Sequence, residues 1–158
     1  MADTSPQLTR WTAHAEAKAI AKDPDLRRLA AIVGAFRAAN AELPMQQAAL
    51  LFAIAMRPGL TATEAGEAVG LSQSSTSRNM LALSPVHRNG VPGLGLVEQR
   101  PDRDDGRKVC LYLTREGTAF VSNLLNIARH GRGSADYAPV PHAASLRLKG
   151  LEPDVAGP

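Results

Sequence analysis

Through the first half of the chain, apolar residues recur at helical spacing; in the second half one short stretch alternates instead. Leu26, Leu29, Ala30, Val33 and Phe36 predict a helix from Pro24 to about Glu42. Asp23 supplies an N-cap carboxylate, and Pro24 stands where a missing N–H does no harm. Pro44 restarts the chain, and Met45, Ala48, Ala49, Phe52 and Met56 mark one face of the next helix, with Leu50, Leu51 and Ile54 on its flanks. A helix apolar on most of its circumference belongs in the interior. Pro58-Gly59 ends it. Upstream, Met1 to Lys22 is Ala-rich, with a helix start at Ser5-Pro6 and Leu8, Trp11, Ala15 and Ala19 on one side. Its side chains bury little, so it either orders against a partner subunit or the body, or stays disordered.

Thr61 or Thr63 caps a short helix, and Thr61-x-x-Glu64 has capping-box spacing. Gly70 suits the left-handed residue at its end, and Ser72 caps a following helix that runs to about Leu83. Val69, Leu71, Met80, Leu81 and Leu83 are placed to bury, while Gln73, Ser74, Ser75, Ser77 and Arg78 point outward on the leading turns. A short helix, a tight turn and a second helix with a polar leading edge is the helix-turn-helix arrangement. Ser84 to Gly95 is irregular and Gly/Pro-punctuated, carrying His87 and Arg88. A strand at Leu96–Arg100, a loop at Pro101–Gly106 and a strand at Arg107–Leu113 follow; Val109, Leu111 and Leu113 alternate with Lys108, Cys110 and Tyr112 as in a half-buried strand. Thr114 and Glu116 open a last helix with Phe120, Val121, Leu124, Leu125 and Ala128 on one face, ended by Gly131.

These elements divide the chain into an N-terminal arm or helix (1–22), a body (23–130) and a Pro/Gly-rich tail (131–158) expected to be mostly disordered, with room for a short helix around His142 to Lys149. The expected fold is mainly α with a small β-wing: a winged helix-turn-helix with flanking dimerisation helices.

Length and charge add limits. A chain of 158 residues fits one domain. Its net charge of +3 suits an anionic partner without demanding one. The single cysteine, Cys110, excludes an internal disulfide framework and suits a reducing cytoplasm. No apolar run approaches the roughly 18 residues of a membrane span, and no signal-peptide core opens the chain. The expectation is a cytoplasmic protein with no membrane association.

The segments Leu43-Pro44, Leu50-Leu51, Pro58-Gly59-Leu60-Thr61, Leu71-Ser72-Gln73-Ser74-Ser75-Thr76-Ser77-Arg78, Gly95-Leu96-Val97-Glu98, Asp105-Gly106-Arg107 and Leu113-Thr114 with Gly117 carry a likeness. In order and spacing this stretch, about half the chain, resembles the MarR family of winged-helix transcription regulators. The resemblance implies an α-helical dimer with one winged module per subunit, the second helix of each helix-turn-helix entering the major groove. It also implies that an Asp-x-Arg in the wing, here Asp105 and Arg107, sends its arginine to the minor groove. Ser84 to Gly95 is longer than the family's usual connection and is similar to small winged-helix proteins of phage and mobile-element type. The last helix is short, and the Pro/Gly-rich tail replaces the family's second long dimerisation helix.

The chemistry of the named residues fits that expectation. Short polar side chains let a helix approach the groove floor; Gln73 can pair with the N6/N7 edge of adenine, and Ser72, Ser74, Ser75 and Ser77 can serve a base or a phosphate. Arg78, one turn deeper, is placed for a phosphate. Arg103, Arg107 and Lys108 crowd the hairpin, where an arginine gains from the negative potential of a narrow minor groove and Asp105 would hold its guanidinium. His87 and Arg88 could add phosphate contacts, or form a mere surface loop. Asp102, Asp104 and Asp105 suggest a calcium loop, but its glycine falls at the fifth position and a leucine at the twelfth, so the match fails. His14, His87, His130 and His142 are too scattered for a ligand set, Cys110 reads as inert packing, and no catalytic constellation, cofactor motif or metal site emerges. The sequence thus points to a non-enzymatic regulator that binds double-stranded DNA as a homodimer, and gives no sign of a small-molecule effector. A winged-helix protein–protein adaptor, or an architectural or replication DNA-binding protein of a mobile element, is the alternative.

Overall fold

Local caps fix most of the helix starts. In a computed structural model, which describes residues 15–86 and 91–133, α1 covers residues 15–22 and α2 spans Pro24–Ala39. The Asp23 carboxylate accepts the Asp25 N–H at 2.8 Å, and α2 ends at Ala39, three residues before the expected Glu42, with Asn40 as its C-cap. Helix α3 (Met45–Met56) follows Pro44. The seven-residue α4 (Ala62–Ala68) begins with the full capping box: the Glu64 N–H donates to the Thr61 hydroxyl at 3.2 Å, and the Thr61 N–H donates to the Glu64 carboxylate at 2.7 Å. The Thr61 N–H and the Thr61 hydroxyl, which donates to the same carboxylate at 2.7 Å, hold the Glu64 carboxyl below its ordinary pKa, helped by the nearby cations of Lys108 and Arg57. Helix α5 (Gln73–Leu83) is capped by Ser72, and α6 (Arg115–His130) runs from the Thr114 cap to the left-handed Gly131.

Helices α2 and α3 turn different faces inward from those expected. In α3 the fully buried residues are Leu50, Leu51 and Ile54, whereas Met45 and Met56 are 77% and 75% exposed. Fully burying a leucine or isoleucine is worth roughly 1.5–3 kcal/mol, so this branched trio outweighs two flexible methionines in orienting the helix. In α2 only Phe36 of the expected stripe is buried; Leu26, Leu29 and Val33 face solvent, while Ile32, Ala35 and Ala39 pack against the core. Phe36 meets Phe52 and Phe120 edge-on, with ring centroids 5.6 and 5.2 Å apart. In α6 the buried face is Phe120, Asn123, Leu124 and Ile127; Val121 is half-buried, and Leu125 and Ala128 are exposed. One core therefore runs from α2 to α6.

Close approach sets the helix-turn-helix. Gly66 in α4 lies against Thr76 in α5, and a Cβ at Gly66 would overlap the Thr76 hydroxyl and come within 3.2 Å of its Cβ. Gly70 takes a left-handed conformation (φ 70°), as expected, and Leu71 N–H returns to the Gly66 carbonyl at 2.9 Å. Met80 and Leu83 anchor α5 in the core, with Val69, Leu71 and Leu81 half-buried.

The segment after α5 has a closed neck. Leu94 N–H donates to Ala82 O at 2.8 Å, Leu96 N–H to Leu83 O at 2.8 Å, and Gly93 N–H to Pro85 O at 3.0 Å. Val86 and Pro92 form an isolated bridge. A Cβ on Gly93 would run into the Ser84 carbonyl, so only glycine permits this approach. His87 and Arg88, expected to lie near DNA, fall outside the described residues, as do Ser5, Pro6, Leu8 and Trp11 and everything beyond residue 133.

The wing is a two-stranded antiparallel sheet, β1 (Val97–Pro101) and β2 (Val109–Leu113), each strand starting later than the pattern predicts. On the free edge of β2, the Leu111 N–H donates to Leu60 O at 2.8 Å, and the Leu111 carbonyl accepts the Gly59 N–H at 2.9 Å. The wing is thereby tied to the turn between α3 and α4. Thr114 fastens its other end: its hydroxyl donates to Gly95 O at 2.6 Å and accepts Gly117 N–H at 2.9 Å.

Candidate nucleic-acid interface

Helix α5 carries its polar residues where the chain leaves the core. Gln73, Ser74, Ser77 and Arg78 are exposed, and so is the cap residue Ser72. Ser75 differs from expectation: it is half-buried, with Asn79 Nδ2 donating to its carbonyl at 2.9 Å and to its hydroxyl at 3.3 Å. Arg78 folds back along its own helix, Nε donating to Ser74 O at 3.2 Å, which leaves the terminal nitrogens of the guanidinium facing out.

The wing loop is assembled from its own aspartates. Asp102 N–H donates to Lys108 O at 2.7 Å and Lys108 N–H donates to Asp105 O at 2.8 Å, closing the hairpin. The Asp102 carboxylate accepts the N–H groups of Asp104 at 2.8 Å and Asp105 at 3.1 Å, and the Cys110 thiol at 3.4 Å. Those backbone donors, then the thiol, hold the Asp102 carboxyl below its usual pKa. Asp102 thereby organises the loop.

Two expectations about the wing are corrected. Asp105 does not grip the Arg107 guanidinium: its carboxylate accepts the Arg107 backbone N–H at 3.1 Å, and neither arginine of the loop joins an ion pair among the described residues. The short Asp105 side chain reaches the nearer amide first, as in an Asx turn. Arg103, Arg107 and Lys108 are left exposed. The strand alternation also departs from expectation, because Val109 is 47% exposed whereas Cys110 and Leu111 are both buried. Val109 adjoins the exposed loop, while the Cys110 thiol donates to the Asp102 carboxylate. Burial and the Asp102 carboxylate both push the Cys110 thiol up in pKa, which keeps it protonated.

The two sides of the wing have different partners. Antiparallel pairing sets Glu98 opposite Tyr112 and Arg100 opposite Cys110, so these residues share one face. There Arg100 pairs with Glu98 and stands 5.6 Å over the Tyr112 ring. The other face carries Val97, Gln99 and Leu111 and turns toward the helices. On it, Gln99 shares a crevice of about 230 Å³ with Thr63, Gln73, Ser77 and Leu81. Helix α5 and the wing therefore meet at one surface depression. Gln99 was not singled out in the sequence, since nothing short of the strand register places it beside Gln73.

No family model matches the chain, and no curated protein does. Its fold is similar to several solved structures at low identity. A MarR family transcription regulator is 23% identical, with 90% of each chain covered and a TM-score of 0.48. The PcaV transcriptional regulator from Streptomyces coelicolor is 24% identical, with 78% of this chain and 87% of that one covered and a TM-score of 0.43. A MepR–DNA complex from S. aureus is 18% identical, with coverages of 79% and 87% and a TM-score of 0.45. The architecture is stated by the chain's own geometry, in the α4–turn–α5 pair, the strand hairpin tied to its base and the flanking helices: this is a winged helix-turn-helix, similar in outline to the solved MarR-type regulators.

Proposed function

We propose that the protein is a sequence-specific double-stranded DNA-binding transcriptional regulator, a homodimeric repressor reading a near-palindromic operator. The single observation that carries the reading is the crevice shared by Gln73 and Gln99, which sets the polar leading turn of α5 beside the wing. In this reading α5 enters the major groove, Gln73 pairs with an adenine edge, and Arg78 and the serines meet phosphates. Arg107, which joins no ion pair among the described residues, extends into the flanking minor groove, with Arg103 and Lys108 on the backbone. Dimerisation is supported by apolar surface that one chain leaves open: Leu29 and Val33 on α2, Met56 on α3 and Leu125 on α6. An apolar hollow of about 440 Å³ lies among Ile32, Phe52, Met56, Val121 and Leu125. Two-fold symmetry then spaces two recognition helices for half-sites about one helical turn apart.

Titration of labelled genomic fragments with the full chain, across a salt series, tests the proposal. Binding should weaken steeply with salt. Gln73→Ala should cost ~1–3 kcal/mol of base discrimination at one position, and Arg107→Ala should weaken binding through A·T-rich flanks. Equal losses on cognate and random DNA for both variants, or no salt-sensitive complex at all, would refute it.

A further inference from the structure

Gln99 and Gln73 are the two amide side chains lining the crevice between β1 and α5. Among the described residues neither amide has a hydrogen-bond partner, although other polar groups of α5 do: Asn79 bonds Ser75 and the Thr76 hydroxyl bonds the Ser72 carbonyl. The strand register explains why Gln99 arrives there. It pairs with Leu111, which is buried, so both side chains leave the sheet on the helix-facing side. Its neighbours Glu98 and Arg100 leave on the opposite side and satisfy each other. Gln99 is exposed, as is Gln73, so both amides are open to a further partner, each offering two donors and an acceptor along a partly polar cleft.

We propose that Gln99 is a specificity residue acting through Gln73: from the first wing strand, its amide fixes the orientation of the amide that reads the base edge. The inference rests on the DNA-binding reading above and assigns the wing a part in base selection besides backbone contact. The hydrogen-bond inventory allows it. Pairing with adenine takes one N–H and one carbonyl lone pair of Gln73, leaving a second N–H and a second lone pair for Gln99. With DNA bound, that second pair of groups on Gln73 can bond the Gln99 amide, so the flipped form of Gln73, which presents donor where acceptor is needed, is selected against.

The test uses the full chain and a duplex bound by the wild type, with the base pair read by Gln73 replaced by each of the four in turn. That position is the one whose preference Gln73→Ala erases. Gln99→Ala should narrow the wild-type preference there by roughly five- to tenfold, and Gln73→Ala/Gln99→Ala should be no flatter than Gln73→Ala alone. A Gln99→Ala protein that keeps the wild-type preference, even with weaker overall binding, would overturn the proposal, as would a double variant with additive losses. If the wild type itself shows no base preference, the DNA-binding reading fails first and this inference goes with it, so the two failures are told apart.

Discussion

The turn between α4 and α5 and the loop between β1 and β2 both lead into polar residues facing solvent, yet different forces hold them. At the first, Gly66 and Thr76 are in steric contact above a floor of Ala65, Met80 and Leu83. At the second, every residue from Arg103 to Val109 is exposed, and the loop's shape comes from hydrogen bonds to the carboxylates of Asp102 and Asp105. Close packing resists displacement by tenths of an ångström, whereas hydrogen bonds in water exchange with solvent at small net cost. A base edge demands the first kind of support. A groove whose width varies with sequence is better met by the second.

The contrast can be broken from its rigid side first. Gly66→Ala drives a methyl into Thr76, and overpacking of this kind typically costs ~1–3 kcal/mol. The melting temperature should fall by several degrees, roughly 2–4 °C per kcal/mol for a chain of this length, and Thr76→Ala in the same chain should restore part of the loss. A Gly66→Ala protein melting with the wild type would mean that packing does not set the turn. Next comes Thr61→Ala, which removes the cap of a helix only seven residues long; about 1 kcal/mol should be lost in denaturant unfolding. The smallest effect belongs to the wing. Asp102→Asn should leave the melting temperature near that of the wild type at neutral pH while speeding amide exchange at Asp104 and Asp105.

The sign of the acid dependence sharpens the same point. The folded Asp102 carboxyl has a lowered pKa, so its stabilising contribution is complete above the ordinary value of 3.8 and drains away as pH falls through the folded value. In the wild type, amide exchange corrected for its intrinsic pH dependence should therefore rise at the wing loop in that acid window. Asp102→Asn, already lacking the charge, should show no such step. A step that persists in the variant would assign it to another group.

Sequence pattern proved most legible where structure is local. Asp23, Thr61, Ser72 and Thr114 cap the helices they were expected to cap, because a cap depends on residues only two or three positions apart. Facing was less legible. Helix α3 is apolar nearly all round, so spacing alone could not choose Leu50, Leu51 and Ile54 over Met45 and Met56, and long-range packing made the choice. The outward stripe of α2 has the same periodicity as an inward one. Of the candidate interface, the polar turn of α5 was readable from composition and period. Gln99 was not, because its neighbour across the crevice lies 26 positions away (99 − 73) and only strand pairing brings them together.

The neck behind α5 has an evolutionary consequence. With Leu94 stitched to Ala82 and Leu96 to Leu83, the two rims of the excursion are held together whatever lies between Val86 and Val91. Residues could be added or removed there for little more than the slowly growing entropy of a longer loop. Relatives of this chain should therefore differ in length at that point while keeping the spacing from α5 to the hairpin, making it a natural place for lineages to acquire or shed an accessory contact.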